Sequence, residues 1–422
     1  MDENRLVRAN KNDNSIKIMI AVIAVLSLLI VGLALYLLVF SKDSNNTENN
    51  SEPEYVNDDS VDVHSTPADV TDPESAVDVS AADDSSDPEA GESQDNPSYV
   101  DESSPAESSV EESSGEYSEP EHGWVINYLG YTYLYKGYGF EQFTFSTNIV
   151  NKYTDSLNKI QELAGSKRVY NILVPTNCEF FTIPASVKQE DDFYCASQRK
   201  FMNNVYAKTV SSIINVDVYN TFETHYDEKL FFNSDPNYTH LAAYYVYLDY
   251  CKAAGITPIV AGMYTQKMLN NQFLGKFFNA TGSERVMKNA DRFDYFDIDE
   301  VYTATEKVYR GSGVVNRTGV IFADTGSYNY FTFLGEEAKR IDITAAGDSS
   351  RSLLVIGDSS AAPFITFLVP NYGKITYINP QLYNESIADM LSSDGFTDIV
   401  IITYNTYAGR LLHSDLAKLA GD

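Results

Sequence analysis

The sequence predicts an α/β domain with a mostly parallel sheet, and three observations support this prediction. Apolar runs typical of buried strands recur in residues 123–422, for example "RVYNILVP" (168–175) and "FTDIVIITYN" (396–405). Amphipathic helical segments follow most of these runs. The 300 residues of this part are enough for one large domain or for a domain with an insert. Strands that alternate with helices favour a sheet covered on both faces, which is a three-layer architecture.

The predicted elements can be placed in order along this domain. They are a helix around 146–165, strands at 168–175 and 215–222, a helix at 239–254, a strand at 351–360, a helix at 361–369, a strand at 373–380, a short helix near 385–395 and a strand at 396–405. Thr239 is a suitable N-cap for the helix at 239–254, and Gly255 is a suitable stop. Residues 256–345 are rich in turn residues and less periodic, so an irregular or β-rich insert is predicted there.

The N-terminal part predicts a membrane anchor. Residues 18–40 contain 23 residues without a charge, enough to span a bilayer core of ~30 Å as one helix. Four basic residues precede this span (Arg5, Arg8, Lys11 and Lys17), and after Lys42 the next basic residue is Lys136. The positive-inside rule therefore predicts a cytoplasmic tail at 1–17 and an extracellular location for the chain after the span, in a single-pass protein of the cell membrane.

Residues 41–122 have the composition of a disordered linker. Within 43–122 there are 25 Asp or Glu residues and no Lys or Arg, which accounts for most of the formal net charge of −30. Such a segment cannot bury enough apolar surface to offset its ordering entropy, and its like charges extend it. We expect a solvated spacer before the domain at 123–422. The absence of a basic stripe in the exported part argues against nucleic-acid binding.

The three cysteines carry no metal-ligand spacing, and the sequence predicts no metal ion and no cofactor. Outside the membrane one pair could form a disulfide and leave one free thiol. A bridge between Cys178 and Cys195 is one possibility that the sequence leaves open.

The sharpest chemical signal is "LLVIGDSS" (353–360), in which an apolar strand ends at Gly357 and a helix is predicted to follow. A serine at such a turn exposes its hydroxyl at the sheet edge, where the first helical amides can stabilise an oxyanion. Ser359 is therefore a candidate nucleophile. The alternative is that Asp358 or Ser359 only caps the following helix.

A serine nucleophile needs a base, and histidine is the usual one. Outside the linker and its end, the histidines are His225, His240 and His413. His240 would stand at the start of the helix at 239–254, where the helix dipole favours the neutral imidazole that a base requires. Asp235 is the candidate supporting acid. The alternative is that Asp235 and Asn237 satisfy turn and helix amides and that His240 is a surface residue.

Several blocks, in order and spacing, resemble the DHHW family of membrane-anchored proteins, which belongs with the SGNH-hydrolase-like domains that include alginate-acetylation proteins. They cover nearly all of residues 123–422. The blocks include "NYLGYTYLYKG", "NILVPTNCEFFTIPAS", "LFFNSDPNYTHLAAYYVYLDYCKAAGI" and "LLVIGDSSAAPFITFLVPNYGKITYINP". The resemblance implies an SGNH-hydrolase-like three-layer fold and serine esterase or O-acyltransferase chemistry on surface glycans.

Carried over position by position, the resemblance implies Ser359 as nucleophile and Asp235 as the acid of an Asp-x-His pair. The family's Asp-His-His-Trp-Thr reads Asp-Pro-Asn-Tyr-Thr here, so Asn237 matches the catalytic histidine. An asparagine cannot accept and return a proton near neutral pH. The family also tends to have tyrosine at Ser360 and arginine at Gln381.

Two function hypotheses follow from these residues. The favoured one is a catalytically degenerate domain that binds surface glycan and is held at the membrane by its N-terminal helix. The alternative is an active esterase or O-acyltransferase on acylated cell-surface polysaccharide, with Ser359 as nucleophile, His240 as base and Asp235 as supporting acid.

Overall fold

The computed structural model describes residues 121–127, 130–190, 193–311, 313–323, 329–410 and 412–421. The predicted tail, the span at 18–40 and nearly all of the acidic linker lie outside these residues. Within the described part, no helix has the length and apolar character needed to cross a membrane.

The strands of the described residues form three sheets. A small antiparallel sheet contains β1 (His122–Asn127), β2 (Gly130–Tyr135) and β3 (Tyr138–Glu141). The main sheet contains β4 (Arg168–Val174), β5 (Ile213–Val216), β8 (Ala304–Arg310), β9 (Gly313–Thr318), β10 (Arg340–Ala345), β11 (Ser352–Gly357), β12 (Lys374–Ile378) and β13 (Asp398–Tyr404). An antiparallel pair contains β6 (Thr265–Phe273) and β7 (Asp291–Asp297).

The main sheet is mixed, so the predicted mostly parallel sheet is found in part. Its strands lie in the order β5-β4-β13-β11-β12-β10-β8-β9. The first five strands in this order (β5, β4, β13, β11 and β12) are parallel to one another. The pairings β12–β10, β10–β8 and β8–β9 are antiparallel. The antiparallel strands lie largely in the insert predicted at 256–345, so this insert is β-rich but extends the main sheet. Along β8 buried and exposed residues alternate. This is the pattern of an antiparallel strand with one face in solvent.

Helices cover both faces of the parallel part. They are α1 (Thr147–Ala164), α2 (Asn177–Phe180), α3 (Ala185–Glu190), α4 (Gln198–Tyr206), α5 (Tyr219–Thr224), α6 (His240–Ala254), α7 (Lys276–Thr281), α8 (Glu284–Lys288), α9 (Ala361–Leu368), α10 (Ala388–Ser393), α11 (Asn405–Ala408) and α12 (Leu412–Ala420). Short 3-10 turns occur at Tyr226–Glu228, Ala261–Met263 and Asn329–Thr332. Leu353 and Val355 of β11 share a buried cluster with α6 and α9, whereas Leu354 and Ile356 share one with α1 and α12. The parallel strands are therefore buried on both faces, which explains their continuous apolar sequence.

The predicted strand at 215–222 is shorter than expected. The strand β5 ends at Val216, and α5 begins at Tyr219. Between them the Asp217 carboxylate accepts a hydrogen bond from the Tyr219 amide at 3.2 Å. This local turn gives the backbone an alternative to the sheet ladder and ends the strand.

The crossover connections place the serine turn at a topological switch point. From β11 the chain returns to β12 through α9 on one face of the sheet, and from β12 it reaches β13 through α10 on the other face. The strands β12 and β13 therefore flank β11 on opposite sides. Ligand sites of open α/β sheets lie beyond the carboxyl ends of the strands at such a point.

Candidate functional site

The serine turn is fixed by the two residues before Ser359. A Cβ atom on Gly357 would lie 2.6 Å from the Ile402 carbonyl oxygen, so the close approach of β11 to β13 requires glycine. The buried Asp358 carboxylate accepts hydrogen bonds from the Ser360 amide (2.9 Å) and hydroxyl (2.5 Å). It also accepts from the Thr403 hydroxyl at 2.9 Å and from the Tyr404 amide at 3.0 Å. Asp358 thus ties the turn to β13 and leaves the Ser359 hydroxyl unconstrained by capping.

Ser359 belongs to a hydrogen-bonded chain of three side chains. Its hydroxyl donates to the Asn237 side-chain oxygen at 2.8 Å. The Asn237 side-chain nitrogen donates to the Asp235 carboxylate at 2.7 Å, and the Asn237 amide donates to the same oxygen at 2.9 Å. Asp235 and Asn237 are buried, whereas Ser359 is half-buried. The order serine–asparagine–aspartate has the geometry of a serine–histidine–aspartate triad with an amide in the central position.

The loop that carries Asp235 and Asn237 is held against the serine turn by Tyr238. The Tyr238 hydroxyl donates to the Ser360 carbonyl oxygen at 2.5 Å, and its amide donates to the Tyr404 hydroxyl at 2.9 Å. The second Asp235 oxygen accepts from the Lys276 amide at 2.9 Å. These bonds fix the register of two segments that are about 120 residues apart in sequence.

The position of His240 corrects its predicted role as base. His240 is buried under the rings of Phe333 and Phe367, whose centroids each lie 4.4 Å from that of the imidazole. Its Nδ1 accepts from the Phe296 amide at 3.0 Å, and its Nε2 lies 2.9 Å from the Thr366 hydroxyl. Both ring nitrogens are therefore occupied away from Ser359.

The hydrogen bonds also define the protonation state of His240. Because the Phe296 amide is a donor, Nδ1 is unprotonated and Nε2 carries the hydrogen. The Thr366 hydroxyl donates to the Pro363 carbonyl oxygen at 2.8 Å and so accepts from Nε2. Burial lowers the pKa of His240 to about 3. The neutral ring is a structural link between α6, α9 and β7.

No histidine of the described residues lines the serine cleft. His225 lies on the ring of Tyr245 and pairs with Glu228 at 2.7 Å. His413 lies in α12, and its carbonyl oxygen accepts from the Ser156 hydroxyl at 3.0 Å. Thus, in the part that the structure describes, the hydroxyl of Ser359 has an amide rather than an imidazole as its acceptor.

The serine opens into a cleft of about 240 Å³. The lining residues come from the carboxyl ends of β11, β12 and β13 and the segments that follow them, from β3, from the Asp235 loop, from the start of α7 and from the segment 330–337. They include Glu141, Asn237, Lys276, Tyr330, Phe331, Phe333, Glu336, Glu337, Asp358, Ser359, Tyr377, Asn379, Gln381, Tyr404, Thr406 and Tyr407. Phe331 and Tyr407 are half-buried and expose part of their rings. Aromatic rings of this kind can stack on the apolar face of a sugar.

Glu141 is a cleft residue that sequence reasoning did not identify. It ends β3 and is half-buried. Burial, together with the nearby Asp235 and Asp358 carboxylates, raises the pKa of Glu141, while Arg410 and Lys276 act in the opposite direction. Nothing in the local sequence "GYGFEQF" distinguishes Glu141 from a solvent-exposed carboxylate, because its place depends on the docking of the small sheet.

The three cysteines are not among the residues that line the serine cleft. All three cysteines are free thiols, so the bridge between Cys178 and Cys195 that the sequence left open is not formed. The Cys178 sulfur accepts from the Gln198 side-chain nitrogen at 3.2 Å. Across the described ranges, no group of three or more His, Cys, Asp or Glu residues is arranged to hold a metal ion.

Comparisons with known proteins agree with this fold. A family model described as "DHHW protein" matches residues 58–378. The solved structure of a DHHW family protein from Eubacterium siraeum has a TM-score of 0.60 at 23% identity and covers 70% of this chain and 98% of its own. Bacillus cereus PatB1 has a TM-score of 0.54 at 12% identity, over 69% of this chain and 99% of its own. PatB1 with a sulfonyl adduct gives the same TM-score over 66% and 94%. Among curated proteins no match was found.

Proposed function

Since this chain belongs to the DHHW protein family, we propose that it is a catalytically inactive member that binds cell-surface glycan in the serine cleft. The single observation that carries the proposal is the amide of Asn237 between the Ser359 hydroxyl and the Asp235 carboxylate. The hydrogen-bonded frame of a triad is retained, but its central group cannot titrate.

The chemical reason is the basicity of the acceptor. Attack by a serine hydroxyl requires a group that takes its proton and later returns it to the leaving group. The amide oxygen of Asn237 accepts a hydrogen bond but does not bind a proton near neutral pH. Ser359 therefore stays a neutral alcohol, which is a weak nucleophile.

Binding needs only the cleft. Its place at the switch point of the sheet, its partly exposed rings of Phe331 and Tyr407 and its polar groups are the features of a sugar site. The resemblance of the sequence to proteins that act on acylated glycans supports the same class of ligand.

The proposal includes a location. The helix at 18–40 would anchor the protein with residues 1–17 in the cytoplasm, and the acidic linker at 41–122 would carry the domain at 123–422 away from the membrane surface. In this arrangement the ligand is a polysaccharide of the cell envelope, and nucleic acid is not a partner.

An active esterase or O-acyltransferase is the second candidate. The observation in its favour is the serine turn, which presents the Ser359 hydroxyl in an open cleft at the start of α9. It requires a base that this chain does not place beside Ser359 among the described residues. Under this reading the base would have to come from the bound ligand or from water.

The test separates the two candidates with one variant. Full-length protein and Ser359→Ala are treated with a fluorophosphonate and a sulfonyl fluoride probe, assayed with p-nitrophenyl acetate, and applied to a glycan array. We expect no Ser359-dependent labelling or hydrolysis, and equal glycan binding by both proteins. Labelling at Ser359, or turnover that is lost in Ser359→Ala, would establish the enzyme instead. Absence of any glycan signal would reject the binding proposal.

A further inference from the structure

We infer that the serine cleft selects glycans with free amino groups, so that its occupant carries a protonated amine rather than a carboxylate or an N-acetyl group. This inference rests on the proposed glycan-binding function and names the chemical class of its ligand. It comes from the balance of charged groups around the cleft.

The charges that line the cleft are predominantly acidic. Among the described lining residues the carboxylates are Glu141, Glu336, Glu337 and Asp358. Lys276 is the basic residue of that lining, and no arginine belongs to it. Gln381, which follows β12 at the mouth of the cleft, adds hydrogen-bonding groups without charge.

Two of these carboxylates are compensated by the protein itself. Asp358 accepts four hydrogen bonds within the serine turn and β13. Glu336 pairs with Arg310 at 2.9 Å and with Arg317 at 3.5 Å. Neither group needs a ligand to satisfy it.

The other two carboxylates have no cationic partner at ion-pair distance in the described part of the chain. Glu337 accepts a hydrogen bond from the neutral Asn379 side chain at 3.1 Å. Glu141 accepts no side-chain hydrogen bond from a described residue, and Lys276 and Arg410 act on it only at longer range. The buried carboxylates of Asp235 and Asp358 also act electrostatically on the half-buried Glu141, more weakly than Arg410 and Lys276 do.

This arrangement discriminates between ligands by charge. A cleft with low-dielectric walls focuses the field of its uncompensated carboxylates and concentrates cations. A sugar ammonium that donates to Glu141 forms a charge-assisted hydrogen bond, which is stronger than a bond to a neutral hydroxyl. A uronic acid would place a third negative charge against Glu141 and Glu337 and would be repelled.

The experiment compares three trisaccharides of equal length with the detergent-solubilised full-length protein by calorimetry at 150 mM salt. They are a glucosamine trimer, an N-acetylglucosamine trimer and a galacturonic acid trimer. We expect the glucosamine trimer to bind about tenfold more tightly than the acetylated trimer, the effect of one charge-assisted hydrogen bond. The galacturonic acid trimer should not bind measurably.

The acidic linker attracts any cationic sugar, so the decisive result is the effect of a cleft variant. Glu141→Gln should remove the tenfold preference, and Gln381→Arg should reduce it. Glu162→Gln is the matched control, because it removes the same charge from an exposed position on α1. It should leave the preference intact.

Each possible outcome decides the inference. Equal affinity for the glucosamine and N-acetylglucosamine trimers would overturn the charge selectivity and leave glycan binding standing. A preference that Glu141→Gln and Glu162→Gln leave unchanged would assign it to the linker and overturn the inference. If neither trimer nor any array glycan binds, the proposed function fails together with it.

Discussion

Asn237 retains the shape of a catalytic residue without its proton chemistry. Its side-chain oxygen faces Ser359 and its side-chain nitrogen faces Asp235, as the two nitrogens of an imidazole would. A buried hydrogen-bond network that loses one of its members is destabilising, because the remaining polar groups are left unsatisfied. An asparagine at position 237 keeps both hydrogen bonds and removes only the group that titrates. The site can therefore be inactive and still well ordered.

The first prediction is a gain of function in Asn237→His. A histidine at this position would be oriented by Asp235 and would reach the Ser359 hydroxyl. General-base catalysis contributes about 10²–10⁴-fold, so we expect hydrolysis of p-nitrophenyl acetate to rise by a factor in this range. The measurement is the rate in Asn237→His and in the double variant Asn237→His/Ser359→Ala. A rise that persists in the double variant would show that the new histidine acts without Ser359.

The second prediction concerns Gly275, which packs on Asp235. A Cβ atom at Gly275 would lie 2.3 Å from the Asp235 Cβ and 2.4 Å from one carboxylate oxygen. Overpacking of this kind typically costs about 1–3 kcal/mol, so Gly275→Ala should lower the free energy of unfolding by that amount in a urea titration. In a double variant with Asn237→His, Gly275→Ala should also abolish the gained activity. The added methyl group displaces Asp235, which would have to orient the new histidine.

The control for this variant is Gly262→Ala. No heavy atom lies within 4 Å of a Cβ built on Gly262, and its backbone does not adopt positive φ. Gly262→Ala should leave the free energy of unfolding unchanged. When it is combined with Asn237→His, the activity gained by Asn237→His should also be unchanged. A neutral effect of Gly275→Ala would mean that the Asp235 loop can shift at no cost and does not fix the site.

At the residue scale the sequence singled out Asp235, Asn237 and Ser359, and the structure joins their side chains by hydrogen bonds. The sequence also predicted His240 as the base, and the structure directs that ring away from Ser359. The first three follow from position within a recognisable block. His240 is the next histidine along the chain, but α6 begins at this residue and turns its ring into the core. The direction of a side chain at the start of a helix depends on tertiary packing. The spacing of residues in the sequence does not determine it.

At the scale of elements, His240 joins α6 to α9 and β7 through hydrogen bonds and aromatic contacts. Its imidazole is neutral in the folded state, because burial lowers the pKa to about 3. In the unfolded chain the ordinary value near 6.5 applies. The stabilising contribution of the neutral ring is therefore complete above pH 6.5 and is lost as the pH falls towards 3.

The third prediction is a pH dependence that this ring contributes. Below pH 6 the unfolded state binds one more proton than the folded state, so stability should fall by about 1.4 kcal/mol per pH unit from this group. His240→Gln lacks the titrating group. Urea titrations at pH 7, 5.5 and 4 measure the free energy of unfolding of the wild type and of His240→Gln. The wild type should be more stable than His240→Gln at pH 7, and this difference between the two proteins should shrink at lower pH. A stability difference between the two proteins that is constant with pH would mean that the pKa of His240 is the same in the folded and unfolded states.

The elements themselves were predicted where local sequence determines them. The parallel strands β4, β11, β12 and β13 are buried on both faces and read as continuous apolar runs. The helix α6 has the predicted N-cap, with the Thr239 hydroxyl accepting from the Ala242 amide at 3.3 Å. The segment 256–345 was predicted as an irregular or β-rich insert, but the extension of the main sheet by β10, β8 and β9 was not predicted. Strands with one solvent face carry polar residues at every second position and lack the continuous apolar run of the parallel strands.

At the scale of the whole molecule, the predictions rest on amino-acid composition. The span at 18–40 and the acidic linker at 41–122 are predicted from hydropathy and charge alone, without a fold. Under the proposed function, the domain would bind glycan at a distance from the membrane, on a spacer that like charges extend. The negative charge of the linker and that of the cleft would then favour the same cationic ligands.

The fourth prediction tests this topology with two proteases. The segment 43–122 has 25 acidic residues and no Lys or Arg, so a glutamate-specific protease should cut it while trypsin cannot. On intact cells that produce the protein, the glutamate-specific protease should release the intact domain at 123–422, detected with an antibody to that domain. The positive-inside rule attributes the predicted orientation to Arg5, Arg8, Lys11 and Lys17, so their replacement by Ala together with added Lys residues after Lys42 should invert it. The domain of that variant should be protected in intact cells.

Protection of the unaltered protein, with cleavage only after lysis, would place the domain in the cytoplasm and remove the basis for an envelope glycan as its ligand.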